Sequence, residues 1–235
     1  MGRATAHLFA DEGARVAVCD IEAAGAEAVA KEIEEAGGQA TAFPVDVAAP
    51  GAAAALVEAV VGHFGGLQIL VNNAGISRPS PIGHDSFETT WRDTLAVNLT
   101  AQADLIRAAL PHLQADGQGR IVNIASTEGL GATAGISAYT ASKHGVVGLT
   151  KGLAVELAAQ GVTVNCICPG PIHTGMTEAI PDEMKTKFAR RRVPARRYGD
   201  PEEVAHMTLS LVLPASSFVQ GAIIPVDGGL VIQNT

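Results

Sequence analysis

Ser126, Tyr139 and Lys143 are the residues of this 235-residue chain whose types and spacing could do chemistry. Lys143 follows Tyr139 by four positions, so on a helix the two side chains lie on one face, one turn apart. An ammonium beside a phenol stabilises the phenolate and lowers its pKa, which is about 10 for a free tyrosine. The pair could therefore exchange a proton with an alcohol or a ketone, while Ser126 holds the same oxygen.

The sequence around these residues predicts the elements that position them. The run Arg120-Ile-Val-Asn-Ile-Ala125 is short, apolar and β-branched, which predicts a buried strand. Apolar residues repeat at helical spacing over 137–160, so Tyr139 and Lys143 open a helix. Ser126 then lies where the strand ends, and open α/β sheets bind ligands at that edge. Taken alone, the tyrosine–lysine spacing favours the alternative of a buried tyrosine with a satisfied hydroxyl and a solvent-facing lysine.

Strands and helices are predicted to alternate along the chain. Further strands are expected at 14–20, 39–45, 67–71, 162–168 and 222–226, and further helices at 21–36, 50–64, 86–113 and 201–213. Alternation of this kind is typical of a parallel sheet with helices on both faces. No repeat or linker divides the chain, so residues 1–235 are expected to form a single domain.

Several short motifs stand in a fixed order beside the serine, tyrosine and lysine: Asn72-Asn-Ala-Gly75, Asn98, Pro169-Gly170 and Val226-Asp-Gly-Gly229. In this order and spacing the sequence resembles the short-chain dehydrogenase/reductase family over nearly its whole length. The resemblance implies a doubly wound, Rossmann-type parallel sheet in three layers that binds a nicotinamide dinucleotide. It also implies hydride transfer between NAD(H) and a secondary alcohol or ketone.

The resemblance assigns a catalytic set of four residues: Asn98, Ser126, Tyr139 and Lys143. Tyr139 would act as general acid or base, Ser126 would orient the reacting oxygen, and Lys143 would lower the tyrosine pKa and hold the ribose. Asn98 would order a water that links Lys143 to solvent. The alternative for Asn98 is an amide that is bonded to neighbouring backbone.

The resemblance also implies a cofactor site, formed by Gly2, Arg3, Asp20, Asp46, Val47, Asn73, Ala74, Gly75, Tyr139, Lys143, Pro169, Gly170, Ile172 and Thr174. Asp20 ends a predicted strand 18 positions after Gly2, close to where an acid bonds the adenosine ribose. A carboxylate there would repel the 2′-phosphate of NADP, so NAD is the expected cofactor. Asp20 and Asp46 could instead cap the helices that follow them, and Thr174 could be a loop residue only.

The beginning of the sequence departs from this pattern. Residues 1–10 read directly as an amphipathic helix, whereas a dinucleotide fold needs a strand and a glycine-rich turn before it. By resemblance Gly2 is the last glycine of that turn, so the expected fold is N-terminally truncated. Two buried strands would then lose a ladder partner. A second hypothesis is therefore a catalytically silent, cofactor-free module for oligomerisation or binding.

Composition argues against several classes of binding partner. The net charge of −8 argues against nucleic-acid binding, and no apolar run reaches the roughly 20 residues that span a bilayer. A secretory leader is not expected, and three cysteines form no disulfide framework, which predicts a cytoplasmic protein. Seven histidines show no ligand spacing, so no metal is expected. By resemblance, the helices at 86–113 and 137–160 would pair copies into a homotetramer or homodimer.

Residues 175–198 are expected to form a lid over the substrate. The segment 185–197 holds seven of the 16 basic residues and no acid. It could attract an anionic carrier, which would make the substrate a 3-oxoacyl thioester on acyl carrier protein or CoA. The alternative is a solvated lid that pairs with nearby acids. The other pocket candidates, Thr127–Ala134 and Ile76–Pro81, are mostly small or apolar and select no particular ketone.

Overall fold

The structure, a computed structural model, describes residues 1–233. Its strands are β1 (Arg15–Asp20), β2 (Gln39–Pro44), β3 (Ile69–Asn72), β4 (Arg120–Ile124), β5 (Thr163–Pro169) and β6 (Ile223–Val226). Its helices are α1 (Gly2–Asp11), α2 (Ala23–Glu35), α3 (Ala52–Phe64), α4 (Phe87–Leu95), α5 (Ala101–Leu113), α6 (Ser137–Leu157), α7 (Gly175–Glu178), α8 (Asp182–Arg192) and α9 (Pro201–Val212). The predicted order of elements is confirmed.

All strand pairings are parallel, but the strands form two sheets. β1 pairs with β2, and β3, β4, β5 and β6 form a separate sheet in that order. Within the described residues, β1 and β3 therefore have a ladder partner on one side only, as the sequence predicted. The apolar side chains Val16, Val18 and Val71 are only half-buried as a result.

Helices cover both faces of the larger sheet, so the three-layer α/β architecture is confirmed. On one face, α3, α5 and α6 bury a cluster that includes Val57, Ile121 and Val164. On the other face, α1 and α9 pack over Val122 and Ile167. Strands β4 and β5 are buried along their whole length, because parallel strands between two helical layers have no face open to water.

The predicted helix at 86–113 is interrupted by a single π-helical turn. Residues Ala96–Thr100 adopt this wider turn between α4 and α5, and Asn98 lies at its middle. A π turn inserts an extra residue into the helical repeat and changes the direction of the side chains beside it, often at functional sites. Here it places the amide of Asn98 in the interior, fully buried against α6.

A chain of buried amides and hydroxyls links the centre of the larger sheet to α6. Asn72 Nδ2 donates to Asn123 Oδ1 at 2.9 Å, and Asn123 Nδ2 donates to Thr150 Oγ1 at 3.0 Å. Thr150 in turn donates to the carbonyl of Val146 at 2.8 Å. Buried polar groups cost free energy unless they are bonded, so each member depends on the next.

Replacement of Asn123 by alanine should therefore destabilise the fold. Asn123→Ala leaves Asn72 and Thr150 without their shared partner, and we expect a loss of roughly 2–4 kcal/mol in the free energy of unfolding. Urea denaturation measures this loss, and Thr150→Val, which removes only one end of the chain, should cost less. Equal stability of Asn123→Ala and the wild-type protein would contradict this interpretation of the network.

Candidate active site

The side chain of Lys143 is buried at the carboxyl end of β4. Only 3% of Lys143 is exposed, and its Nζ donates to the carbonyl of Ile124, the last residue of that strand, at 2.8 Å. Burial disfavours the charged form and lowers the pKa of Lys143 to about 8. An ammonium carries three N–H donors, so the bond to Ile124 leaves donor capacity for a ligand.

Tyr139 and Ser126 come together above this lysine. Tyr139 lies in the first turn of α6, and Ser126 follows β4, with its Oγ accepting from the Glu128 amide at 3.1 Å. Burial raises the pKa of Tyr139, a hydrogen bond with Ser126 acts in the opposite direction, and the carboxylate of Glu128 raises it further. The structure thus brings the predicted serine, tyrosine and lysine into one cluster.

The expected effect of Lys143 on the tyrosine is not what the structure shows. The spacing of the two residues predicted that the ammonium lowers the pKa of Tyr139, whereas this pKa is raised. Lys143 Nζ lies over the aromatic ring, 5.6 Å from its centroid, and is bonded to Ile124. Desolvation of the phenol is the largest effect on this pKa, and it keeps Tyr139 protonated at neutral pH.

The amide of Asn98 is bonded to backbone and to a serine. Its Oδ1 accepts from the Ile76 amide at 2.8 Å, and its Nδ2 donates to the Ile76 carbonyl at 2.9 Å and to Ser142 Oγ at 3.0 Å. Ser142 donates to the Tyr139 carbonyl at 2.7 Å. This arrangement matches the backbone-bonded alternative. It ties the segment after β3 to the helix that carries Tyr139.

The turn after β4 packs very closely on α6. A Cβ added to Gly129 would lie 2.8 Å from the carbonyl oxygen of Lys143 and 3.1 Å from Val147 Cγ2. By contrast, a Cβ on Gly131, two residues further along, would lie 3.8 Å from its nearest neighbour. Only a residue without a side chain lets this turn hold Ser126 against the Tyr139 helix.

The carboxyl ends of the parallel strands gather the remaining candidates at one edge. Asp20 ends β1, Asn73–Gly75 follow β3, Ser126 follows β4, and Pro169-Gly170 close β5. At Gly75 a Cβ would occupy space 3.4 Å from Asn98 Oδ1 and 3.5 Å from Lys143 Nζ. This open backbone beside the spare N–H donors of Lys143 fits the ribose hydroxyls of a dinucleotide.

The N-terminal candidates are partly engaged elsewhere. Gly2 opens α1 against Asn73, where an added Cβ would lie 2.8 Å from Asn73 Nδ2. The guanidinium of Arg3 pairs with Glu32 on α2, at 2.8 Å from Nε to Oε2. To contact a cofactor phosphate, Arg3 would have to leave that carboxylate.

The two acidic candidates close turns. Asp20 Oδ1 accepts from the Glu22 amide at 3.0 Å, just before α2, and its carboxylate remains exposed. Asp46 Oδ1 accepts from the Ala48 amide at 3.0 Å, beside the half-buried Val47. The prediction that Asp20 and Asp46 could cap the helices that follow them is wrong. Glu22 precedes α2, Gly51 precedes α3, and neither helix has a side-chain cap.

The segment after β5 is fixed by tight contacts. Gly170 lies against the backbone of Asp227, where a Cβ would be only 2.8 Å from the Asp227 Cα. Ile172 is buried, and Thr174 caps α7 in a reciprocal pair of bonds with Thr177. The Thr174 hydroxyl therefore has a structural partner, and its predicted contact with nicotinamide stays a prediction.

Residues 175–198 form α7, α8 and a return segment that is anchored to the rest of the fold. Tyr198 packs with Ala189, Val193 and Leu230. Arg197 binds Glu203 through two bonds of 2.6 Å, which lower the pKa of Glu203 to about 2. Lys185 pairs with Asp182 at 3.4 Å. The other basic side chains of the segment form no ion pair with the described residues: Lys187, Arg190, Arg191, Arg192 and Arg196.

Two kinds of site are absent from residues 1–233. No cluster of three or more histidine, cysteine or acidic side chains in this part of the chain could hold a metal ion. None of its helices combines the length and apolar character needed to cross a membrane. The absence of a metal, of nucleic acid and of a membrane partner stays a prediction.

Two residues of the site are not evident from their sequence context. Glu128 is an isolated acid in a run of small and apolar residues, and Ser142 precedes Lys143 in the helix. Both act through bonds to distant positions, which residue spacing does not reveal. Its position, two residues after the candidate serine, is the only feature of the sequence that could have drawn attention to Glu128.

Comparisons with known proteins cover nearly the whole chain. A family model described as enoyl-(acyl carrier protein) reductase matches residues 1–231. The 3-oxoacyl-[acyl-carrier-protein] reductase FabG of Vibrio cholerae is 38% identical over 98% of this chain and 92% of its own length. The cis-4-hydroxycyclohexanecarboxylate dehydrogenase of Sinomonas cyclohexanicum is 40% identical over 97% of this chain and 91% of its own.

A solved structure is similar to this chain over nearly its whole length. A candidate NAD(P)-dependent gluconate 5-dehydrogenase from Beutenbergia cavernae, with NADP bound at low occupancy, superposes with a TM-score of 0.92. It is 38% identical, and the match covers 99% of this chain and 92% of that one. Because this relative holds NADP, the expectation that NADP is the less suitable cofactor finds no support in the comparisons.

The close packing of the turn after β4 generates a prediction. Gly129→Ala forces the turn away from α6, so we expect at least a tenfold loss of any turnover and roughly 1–3 kcal/mol of stability. Gly131→Ala is the matched control in the same turn and should be nearly neutral. Steady-state kinetics and urea denaturation of both variants provide the measurement, and equal behaviour of the two would refute the packing argument.

Proposed function

The chain belongs to the short-chain dehydrogenase/reductase family and is an NAD(P)-dependent oxidoreductase that acts on CH–OH or keto groups, and we propose that Tyr139 is its general acid and base. One observation carries the proposal: Ser126 and Tyr139 meet above a lysine that is only 3% exposed, at the edge where parallel strands end. A buried ammonium is costly, and a cluster of shifted pKa values at such an edge favours a catalytic site.

In the direction of ketone reduction, Tyr139 donates its proton to the carbonyl oxygen of the substrate. The raised pKa keeps this hydroxyl protonated at neutral pH, which suits a general acid. Ser126 donates a hydrogen bond to the same oxygen and holds it near the phenol. A nicotinamide cofactor, when bound, supplies or accepts the hydride. In alcohol oxidation, the phenolate of Tyr139 accepts the hydroxyl proton.

Lys143 and Asn98 support this chemistry from behind the tyrosine. Lys143 uses the donors that Ile124 leaves free to hold the cofactor ribose, and its charge stabilises the phenolate as it forms. Asn98 keeps the segment after β3 at a fixed distance from α6 through its bonds to Ile76 and Ser142. We assign Asn98 a positioning role before any role in ordering water.

We propose a cofactor site along the strand ends. Gly2 and Arg3 would lie at the pyrophosphate, Asp46 and Val47 at the adenine, and the segments Asn73–Gly75, Pro169-Gly170, Ile172 and Thr174 at the ribose and nicotinamide. The exposed carboxylate of Asp20 ends β1 and favours NAD, because it would repel a 2′-phosphate. Arg3 would have to exchange Glu32 for a phosphate oxygen to contribute.

A secondary alcohol or ketone is the substrate class that we propose. The loops beside Tyr139 offer mainly small and apolar side chains, which suit an uncharged carbon skeleton. A 3-oxoacyl thioester on acyl carrier protein or CoA is the second candidate. The exposed, unpaired basic side chains of α8 favour it, since they would attract a phosphate-bearing carrier.

We further propose that the protein works as a homotetramer or homodimer in the cytoplasm. Exposed apolar side chains lie on the two helical segments that the resemblance assigns to pairing, for example Trp91 on α4 and Val155 on α6. Its three cysteines are unpaired in the structure, which suits a reducing compartment.

Substitution of the tyrosine tests the mechanism against the alternative of a silent, cofactor-free module. Tyr139→Phe removes the transferable proton and keeps the ring, so we expect turnover to fall by at least about a thousandfold while NAD(P)H affinity stays nearly unchanged. Fluorescence titration with NADH and NADPH, followed by kinetics on a panel of ketones, measures both. Tyr198→Phe is the matched control.

Two results would overturn the proposal. If the wild-type protein binds neither cofactor at millimolar concentration, the silent module becomes the better hypothesis. If Tyr139→Phe keeps wild-type turnover on a substrate that the enzyme accepts, the acid–base role is wrong.

A separate substitution tests cofactor choice. Asp20→Ser removes the carboxylate that faces the ribose position, so we expect the ratio of NADPH to NADH affinity to rise by about tenfold or more. Titration of wild type and variant with both cofactors measures the ratio. Asp11→Ser, at the far end of α1, serves as the control with the same change of charge. An unchanged ratio would remove Asp20 from the site.

A further inference from the structure

We propose that Glu128 is a positioning residue, which holds Ser126 and Tyr139 at a fixed separation by tying the turn after β4 to the helix α6. The inference rests on the proposed function of the same site and deepens it. The catalytic set contains no role for this carboxylate, and the family resemblance does not single it out. Its own contacts carry the argument.

The carboxylate of Glu128 makes three short bonds to two separate segments. Oε1 accepts from Thr133 Oγ1 at 2.6 Å, and Oε2 accepts from the Thr133 amide at 2.9 Å. Oε2 also accepts from Thr140 Oγ1 at 2.7 Å. Bonds to a carboxylate are about twice as strong as neutral ones, so one side chain fastens a loop and a helix together.

Two contacts of Glu128 adjoin the reacting groups. Thr140 is the neighbour of Tyr139 in the first turn of α6, and the backbone amide of Glu128 itself donates to Ser126 Oγ at 3.1 Å. Glu128 therefore contacts the serine through its backbone and the tyrosine's helix through its side chain. Any change in its position alters the distance between the two hydroxyls.

The same contacts order the wall of the substrate site. The segment 130–134, which contains Thr133, is exposed to solvent, and such loops are mobile unless they are tied. Glu128 binds this segment at Thr133. At its end, the Gly135 carbonyl accepts from the Ser80 amide at 2.8 Å, which joins the segment to the second pocket candidate, Ile76–Pro81. Closing this loop onto the active site before substrate arrives is a form of preorganisation.

Glu128 also brings a negative charge toward the phenol. Among the described residues, the charged groups that face Tyr139 are Glu128, from the turn after β4, and Lys143, from α6. The carboxylate disfavours the phenolate and so helps to keep Tyr139 protonated. Its removal should make the phenol more acidic, which gives a readout that a purely structural tether would not move.

The experiment compares Glu128→Gln and Glu128→Ala with the wild-type enzyme. Glutamine keeps one carbonyl acceptor, so we expect it to retain part of the activity, whereas alanine should lower kcat by about 10- to 100-fold. Cofactor affinity should change by less than about twofold. In alcohol oxidation, the acidic limb of the kcat/KM profile should move to lower pH in both variants. Glu156→Gln, an exposed acid further along α6, is the matched control.

Ionisation of the tyrosine can be read without any substrate. The chain contains only two tyrosines, so in a Tyr198→Phe background the phenolate absorbance reports Tyr139 alone. We expect Glu128→Gln to lower the midpoint of this titration. Thr140→Val breaks one bond of Glu128 but keeps its charge, so the midpoint should stay higher in this variant than in Glu128→Gln. Thr140→Val should still lower kcat.

The outcomes separate the two proposals. Wild-type kcat and an unmoved titration in the Glu128 variants would overturn the positioning role and leave the proposed function standing. A loss of melting temperature with unchanged turnover per folded molecule would do the same. If the wild-type enzyme turns over no substrate, the proposed function fails, while the titration still decides whether Glu128 acts on the phenol. Should Glu128→Ala not fold, Glu128→Gln and Thr140→Val carry the test.

Discussion

The site depends on one buried hydrogen bond, from the Lys143 ammonium to the Ile124 carbonyl at the end of β4. An amine that is removed from water needs a polar partner, and a strand-end carbonyl is the one that the parallel sheet provides. The bond fixes the rotation of α6 relative to the sheet, and this rotation aims Tyr139 toward Ser126. Two glycines pack against this lysine: an added Cβ would lie 3.5 Å from Lys143 Nζ at Gly75, and 2.8 Å from the Lys143 backbone carbonyl oxygen at Gly129.

Buried polar side chains extend this constraint through the middle of the molecule. Asn98 joins the segment after β3 to α6, and Asn123 joins two strands to the same helix. In an apolar interior such bonds are directional, whereas packing of aliphatic side chains tolerates small rotations. The helix that carries the tyrosine and lysine is therefore held in register at several levels along its length.

Local pattern was enough to predict the elements and which of them bring Ser126, Tyr139 and Lys143 together. The apolar run before Ser126 and the four-residue spacing of Tyr139 and Lys143 depend only on residues near in sequence, and both are confirmed in position. The direction of the Tyr139 pKa was wrong because it depends on the depth of burial, which spacing does not encode. The π turn at Asn98 was likewise invisible in the helical repeat.

Pairing between residues that are far apart in the sequence explains the contacts that the sequence did not predict. Arg3 and Glu32 are 29 positions apart, and nothing near either residue in the sequence indicates that they meet. Glu128 and Thr140 belong to different elements, so their bond exists only once α6 has docked on β4. The Asp46 side chain, by contrast, accepts a hydrogen bond from the Ala48 amide, two residues away, and does not cap the helix that begins later. Short polar side chains often bond locally in this way.

The pair β1–β2 and the quartet β3–β6 touch through side chains such as Val16 but share no ladder bonds within the described residues. Segments that are joined only by packing open as separate units, and amide exchange follows such boundaries. Asp20 belongs to the first unit, whereas Ser126 and Tyr139 are held by the second. A bound molecule long enough to contact both units would stabilise the closed arrangement and slow their local opening. The exchange rate of the β1 amides would therefore fall as the fraction of protein with this molecule bound rises.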